Sequence, residues 1–136
     1  MPEISAALRA EVRSRAKGRC EYCFVPESLT LVTHEVDHII AAKHGGATLL
    51  DNLALCCTLC NKYKGTDLAS IDPETGEMCR LFHPRRDQWR HHFQLHGGLI
   101  VAITAVGRVT VRVLQLNRSE RVKERDLMMR AGYFSE

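Results

Sequence analysis

Two Cys-x-x-Cys pairs, Cys20 with Cys23 and Cys57 with Cys60, constrain this chain more than any other feature. Each pair brackets a tight turn that presents two thiolates to one side, and together they supply the four sulfurs of a closed, tetrahedral structural zinc site. One pair alone would equally suit a redox dithiol. Two pairs favour metal, even though the segment between them is longer than in a compact zinc ribbon. Cys56 could in principle replace Cys57, but Cys57 and Cys60 form the x-x spaced pair. Cys56 and Cys79 read as small, buried, apolar side chains. A metal at these positions clamps the chain between residues 20 and 60 into a closed loop and holds Asn61, the neighbour of Cys60, rigidly.

Inside that loop lies a literal H-E-x-x-H, from His34 to His38. On a helix this pattern stacks two imidazoles around one zinc, with the glutamate as base. On a strand, at about 3.3 Å per residue, the two histidines stand roughly 13 Å apart, beyond the reach of one metal. The surrounding "LTLVTHEVDHII", Leu29 to Ile40, is rich in Val, Ile, Leu and Thr and lacks a 3.6-residue apolar stripe, so a strand is expected. His34 then reads as a surface or packing residue, and Asp37-His38-Ile39 becomes the informative triplet.

At 136 residues the chain has room for one modest domain with an appended subdomain and can bury a core without disulfides. A formal charge of +3 permits a nucleic-acid partner without requiring one. The first residues, "MPEISAALRAEVRSR", hold no apolar run of signal-peptide type, and nowhere is there the long uncharged stretch of a membrane helix, so a cytoplasmic protein is expected, with no membrane partner. In that compartment six cysteines serve as metal ligands or free thiols, not as a disulfide framework.

Along the chain, residues 5–17 have helical spacing, with Gly18 as a C-cap. "HGGATLLDN" is a loop, residues 53–64 suit short helical turns closed by Gly65, and "DPETG" is a turn. "FHPRRDQWRHHF" is basic, aromatic and partly helical; "LIVAIT" is a strand candidate. "GRVTVRVLQLN" fits either state, with helix slightly favoured. Ser119 is expected to cap a last helix that Gly132 ends.

The runs "GRCEYC", "EVDHIIAAKHGG" and "LLDNLALCCTLCNKYKG" together resemble the HNH endonucleases, the ββα-metal (His-Me finger) nucleases in their four-cysteine zinc form. The resemblance covers residues 18–65, about a third of the chain. It implies an α+β fold: a zinc-stabilised ββα core in residues 1–66 with an N-terminal helix, and a mainly helical C-terminal extension in residues 67–136. It also implies a metal-dependent DNA endonuclease in which Asp37 and His38 form the hairpin's Asp-His pair, Asn52 is the middle Asn that braces the loop and orients the general base, and Asn61 opens the final helix. Asn52 also reads as an ordinary helix N-cap. Asn61 stands where the family name has His, so its amide is a weaker, neutral ligand.

The chemistry suits these residue types. Phosphodiester hydrolysis needs a base for the attacking water, which the imidazole of His38 can supply. Charge on the phosphorane and leaving oxygen calls for a hard divalent ion, Mg²⁺ or Mn²⁺ with Ni²⁺ or Co²⁺ as further options, on the oxygens of Asp37 and Asn61. Lys62, Lys64, Arg85 and Arg86 are candidate DNA contacts. The plainer readings are a solvated helix end for the lysines, and for the arginines a solvated face with Trp89 and Phe93 packed inward. The alternative to a nuclease is a zinc-organised nucleic-acid-binding module that does not cut. The sequence carries no signal for or against oligomerisation.

Overall fold

The computed structural model describes residues 3–133. Packing divides the chain into two compact units, Met1–Thr66 with His83–Arg86, and Asp67–Phe82 with Asp87–Glu136.

The first unit opens with helix α1, Ala6–Ala16, whose N-cap Ser5 accepts a hydrogen bond from the Leu8 amide. Lys17 takes the left-handed cap conformation expected of the following Gly18, which is itself left-handed. The expected long strand is cut down to β1, Glu35–His38. Residues Glu27–Leu29 form a single 3₁₀ turn instead, and Thr30 Oγ1 lies 2.8 Å from the Glu27 and Val32 carbonyls, which holds the loop away from extended pairing. Residues Leu53–Cys56 are not helical turns but strand β2, antiparallel to β1 with Val36 opposite Leu55 and Asp37 opposite Ala54. All four β2 residues are buried, so the run shows none of the alternation that marks a half-exposed strand. Helix α2, Thr58–Lys64, follows with Cys57 as its N-cap.

The hairpin has two different faces. Val36 packs with Val12, Leu53 and Leu55, and Leu8, Ala16, Ile4 and Leu50 border this cluster. The four-residue spacing of Leu8, Val12 and Ala16 puts one stripe of α1 against that face. Opposite residues of an antiparallel pair share a face, so Glu35, Asp37, Ala54 and Cys56 face the other way, where α2 provides the polar partners described below.

The second unit adds two hairpins to its two helices. Strands β3, Ala69–Ile71, and β4, Met78–Arg80, flank the expected turn; β5, Phe93–His96, pairs with the expected strand β6, Leu99–Ala102. Helix α3 runs Ala105–Val113 and α4 runs Ser119–Arg130. Ser119 is thus the first residue of α4 and not its cap, which is Arg118. Trp89 and Phe93 pack inward with ring centroids 4.9 Å apart. Cys79 is only partly buried, more open than expected.

Arginines hold this unit together from inside. Arg125 is fully buried, its Nε donating to Gly98 O and Nη2 to Leu116 O, both at 2.7 Å. Arg121 donates to Leu114 O at 2.8 Å, meeting a carbonyl at the end of α3 that has no partner within the helix. Arg108 makes a two-pronged pair with Asp72, Nε and Nη2 both at 2.9 Å, while Asp72 also accepts from the Glu74 amide and the Thr75 hydroxyl of its own turn.

The Arg108 guanidinium holds the Asp72 carboxyl well below the ordinary carboxylate range. A depressed folded-state value means the pair stabilises fully above the unfolded value, about pH 4, and loses that stabilisation as pH falls below it. Asp72→Asn should therefore be less stable than the parent at pH 7, and the difference should shrink steadily below about pH 4. Urea unfolding at stepped pH checks this; a gap independent of pH would assign the effect to the turn and not to the ion pair.

Candidate active site

The four expected cysteines come together. Cys20, Cys23, Cys57 and Cys60 are all buried, and their sulfurs lie within 4.8 Å of one another. Cys23 Sγ is 3.7 Å from Cys57 Sγ. A tetrahedron with zinc–sulfur bonds of about 2.3 Å has edges of about 3.8 Å, whereas a disulfide requires about 2.05 Å. The geometry therefore fits a structural zinc. Burial pushes the Cys20 and Cys60 thiols well up, so the deprotonated ligands need a cation to balance them. The Cys60 amide lies 3.4 Å from Cys57 Sγ, the backbone-to-sulfur contact of a knuckle. Cys56, fully buried beside Cys57, is outside the cluster. Glu21, between the first two cysteines, accepts from the Leu55 amide at 2.8 Å and bonds the Leu55 carbonyl through its own amide, so the first knuckle is sewn to β2.

His34 and His38 do not share a metal. Residues 35–38 are extended, so the H-E-x-x-H arrangement of a zinc protease does not form. His34 is buried as a packing residue with Nε2 2.7 Å from Val25 O.

A cleft of about 320 Å³ is lined by Glu3, Ile4, Arg9, Glu35, Val36, Asp37, His38 and Asn61. Because all four β1 residues line it, the cleft runs along the free edge of that strand. This is how neighbours on opposite faces, Asp37 and His38, reach one space. His38 is nearly buried, with Nε2 2.9 Å from Thr48 Oγ1. Asp37 Oδ2 is buried without a hydrogen-bond partner; its neighbour is Lys64 Nζ at 3.6 Å, an ion-pair distance. Burial pushes the Asp37 carboxyl above its ordinary value and Lys64 draws it back. Asn61 donates its amide hydrogen from Nδ2 to Glu35 Oε2.

Asn52 does not cap a helix. It ends a 3₁₀ turn, and its side chain braces the loop after β1: Oδ1 accepts from Ile40 N at 2.9 Å, and Nδ2 donates to Ile40 O at 2.9 Å and Ala47 O at 2.8 Å. Gly46 makes room for this brace. A Cβ there would strike the Ile40 carbonyl and lie 2.8 Å from Asn52 Nδ2.

Residues 20–67 match the profile of the HNH endonuclease family. Over that span the chain is similar to an HNH endonuclease domain, with the four-cysteine cluster inside it. The matched span holds both knuckles, the β1–β2 hairpin and α2, and it leaves out α1 and most of the second unit. A match to this family supports a nuclease-type function. A curated relative, the Septu protein PtuA of Bacillus mycoides (strain KBAB4), is 33% identical over 97 residues, covering 63% of this chain and 13% of that protein. The chain thus spans about an eighth of the length of the relative it matches. Among the described residues no helix is long and apolar enough to cross a membrane.

Two of the four expected DNA contacts, Lys64 and Arg85, are engaged within the protein. Lys64 is buried, its ammonium donating to Ile39 O at 3.0 Å and facing Asp37, so no phosphate reaches it. Arg85 is largely buried and ion-paired with Glu21. Lys62 and Arg86 remain exposed. Conversely, Glu35, Thr48 and Lys64 touch Asn61, His38 and Asp37, and sequence reasoning passed over all three contacts. For Glu35 and Lys64 the signal was available. They sit two residues from Asp37 on a strand and three from Asn61 on a helix, the spacings that keep side chains on one face.

Cys57→Ser should abolish stoichiometric zinc and cooperative folding, since such sites contribute about 10 kcal/mol or more, while Cys79→Ser should keep both. Elemental analysis with circular dichroism reads both outcomes. Lys64→Met leaves Ile39 O without its donor and Asp37 without its counter-charge. It should cost about 1–3 kcal/mol in denaturant unfolding of the zinc-loaded protein, against less than about 0.5 kcal/mol for Lys62→Met.

Proposed function

We propose that the protein is a metal-dependent DNA endonuclease, with residues 1–66 as the nuclease core and residues 67–136 as an extension. The observation that carries this reading is that Asp37, His38 and Asn61, three residues of different chemical type, line one cleft at a strand edge. The Asn52 brace behind that cleft supports it further.

His38 is the general base. His38 Nε2 lies 2.9 Å from Thr48 Oγ1, and in the tautomer that donates Nε2–H to that hydroxyl the lone pair sits on Nδ1, the nitrogen then left to take a proton from water. Asn52 acts at one remove: by tying residues 40 and 47 together it fixes the loop that carries Thr48, and through Thr48 the imidazole. Asp37 and Asn61 offer oxygens for Mg²⁺ or Mn²⁺, and Asp37 Oδ2, which has an ion-pair neighbour in Lys64 but accepts no hydrogen bond, fits that role. A divalent ion bound there supplies charge stabilisation for the phosphorane and the departing 3′-oxygen. Lys62 and Arg86, both exposed, are the remaining candidates for backbone phosphate contacts.

Supercoiled plasmid with Mg²⁺ or Mn²⁺ tests the reading. The parent protein should nick or linearise it, His38→Ala should lose on the order of 100-fold or more in rate with zinc content unchanged, and His34→Ala with zinc retained should lose far less. DNA binding without cleavage under any of these ions would leave the non-cutting, zinc-organised binding module instead.

A further inference from the structure

We infer that Glu35, a residue with no assigned role, is a positioning residue that sets the amide of Asn61 so that oxygen and not nitrogen meets the cation; this rests on the proposed metal role of Asn61. A primary amide has two ends of similar shape. Only Oδ1 can serve a hard divalent ion, and an Asn with no second partner presents Nδ2 about as readily. The Glu35 carboxylate removes that ambiguity, because an ionised carboxylate accepts hydrogen bonds and cannot donate them. Its Oε2 takes the Nδ2 hydrogen, which turns Oδ1 away from Glu35.

The placement follows from two backbone periods. Glu35 and Asp37 lie on the same face of β1, about 6.6 Å apart along the strand. Asn61 and Lys64 are one helical turn apart on α2, an axial rise of about 4.5 Å. Two contacts result side by side, Glu35 with Asn61 and Asp37 with Lys64. Glu35 is exposed and lines the same cleft, so the contact lies at the site and not in the core. A His at position 61 would present a different pair of donor atoms, so this device answers a need specific to the Asn found here.

The test is Mn²⁺ affinity, read from the EPR signal of free Mn²⁺, on the zinc-loaded 136-residue chain carrying His38→Ala and mixed with a short DNA duplex, so that cleavage is suppressed during the measurement. Glu35→Ala should weaken Mn²⁺ binding by about tenfold or more, the loss typical when the partner of a ligand is removed. Glu35→Gln, whose amide oxygen still accepts from Nδ2, should fall between Glu35→Ala and the parent. In an Asn61→Ala background Glu35→Ala should have no further effect, because there is no amide left to orient. An equal loss in both backgrounds would overturn the inference, since Glu35 would then act through its own charge or as a direct ligand. Loss with Asn61→Ala but none with Glu35→Ala would overturn it while leaving the metal reading standing. Unchanged affinity in Asn61→Ala would overturn both.

Discussion

Four sulfurs drawn to within 4.8 Å of one another tie together the two ends of the segment that carries the β1–β2 hairpin. The knuckle at Cys20 and Cys23 follows α1, and the knuckle at Cys57 and Cys60 begins α2. A short hairpin and a seven-residue helix would be marginal in isolation, since nucleating a helix and pairing two strands both cost backbone entropy before they return contacts. Joining the two knuckles removes much of that cost by shortening the effective loop between them. It also fixes where α2 starts, and Asn61 is one residue past the last sulfur. The position of a candidate ligand at the cleft is thereby inherited from the structural metal site.

With the start of α2 fixed, the hairpin divides its work between faces. One face gives Val36, Leu53 and Leu55 to the packing beneath α1. The other offers Glu35 and Asp37 to α2. At the edge of β1 residues from both sets line the same cleft, so that on the proposed reading a base from one face and a carboxylate from the other can act together.

Helix α1 is legible in the sequence because Ser5 caps it and its apolar residues recur every four positions. The zinc cluster is legible because paired Cys-x-x-Cys has few other uses. Strand β2 is not, since four consecutive buried residues carry neither helical nor strand period. Strands β3 and β4 are three residues each, too short to show any period. At the site, the Asp37–His38 pair and Asn61 stand out through likeness to a family. The burial of Lys64 does not, because lysine at a helix end is ordinarily solvated, and only the three-dimensional position of Asp37 makes it otherwise. Arg85 is obscured in the same way: its partner, Glu21, is more than sixty residues away in the chain.

The charge of the cleft bears on how such a site would take DNA. Among the described residues, Glu3, Glu35 and Asp37 line it against one exposed cationic side chain, Arg9, with Lys64 already committed to Asp37 and Ile39. Left as it stands, that lining repels a phosphate. On the proposed reading, a divalent ion between the carboxylates and the phosphate reverses the sign of the interaction, so each makes the other's binding more favourable, and by linkage the coupling is equal in both directions. A neutral amide at position 61 strengthens this dependence. It contributes no charge of its own and holds the ion weakly until phosphate oxygens complete the shell. Occupancy of the ion would then follow occupancy of DNA, which confines hydrolytic capacity to the moments when substrate is in the cleft.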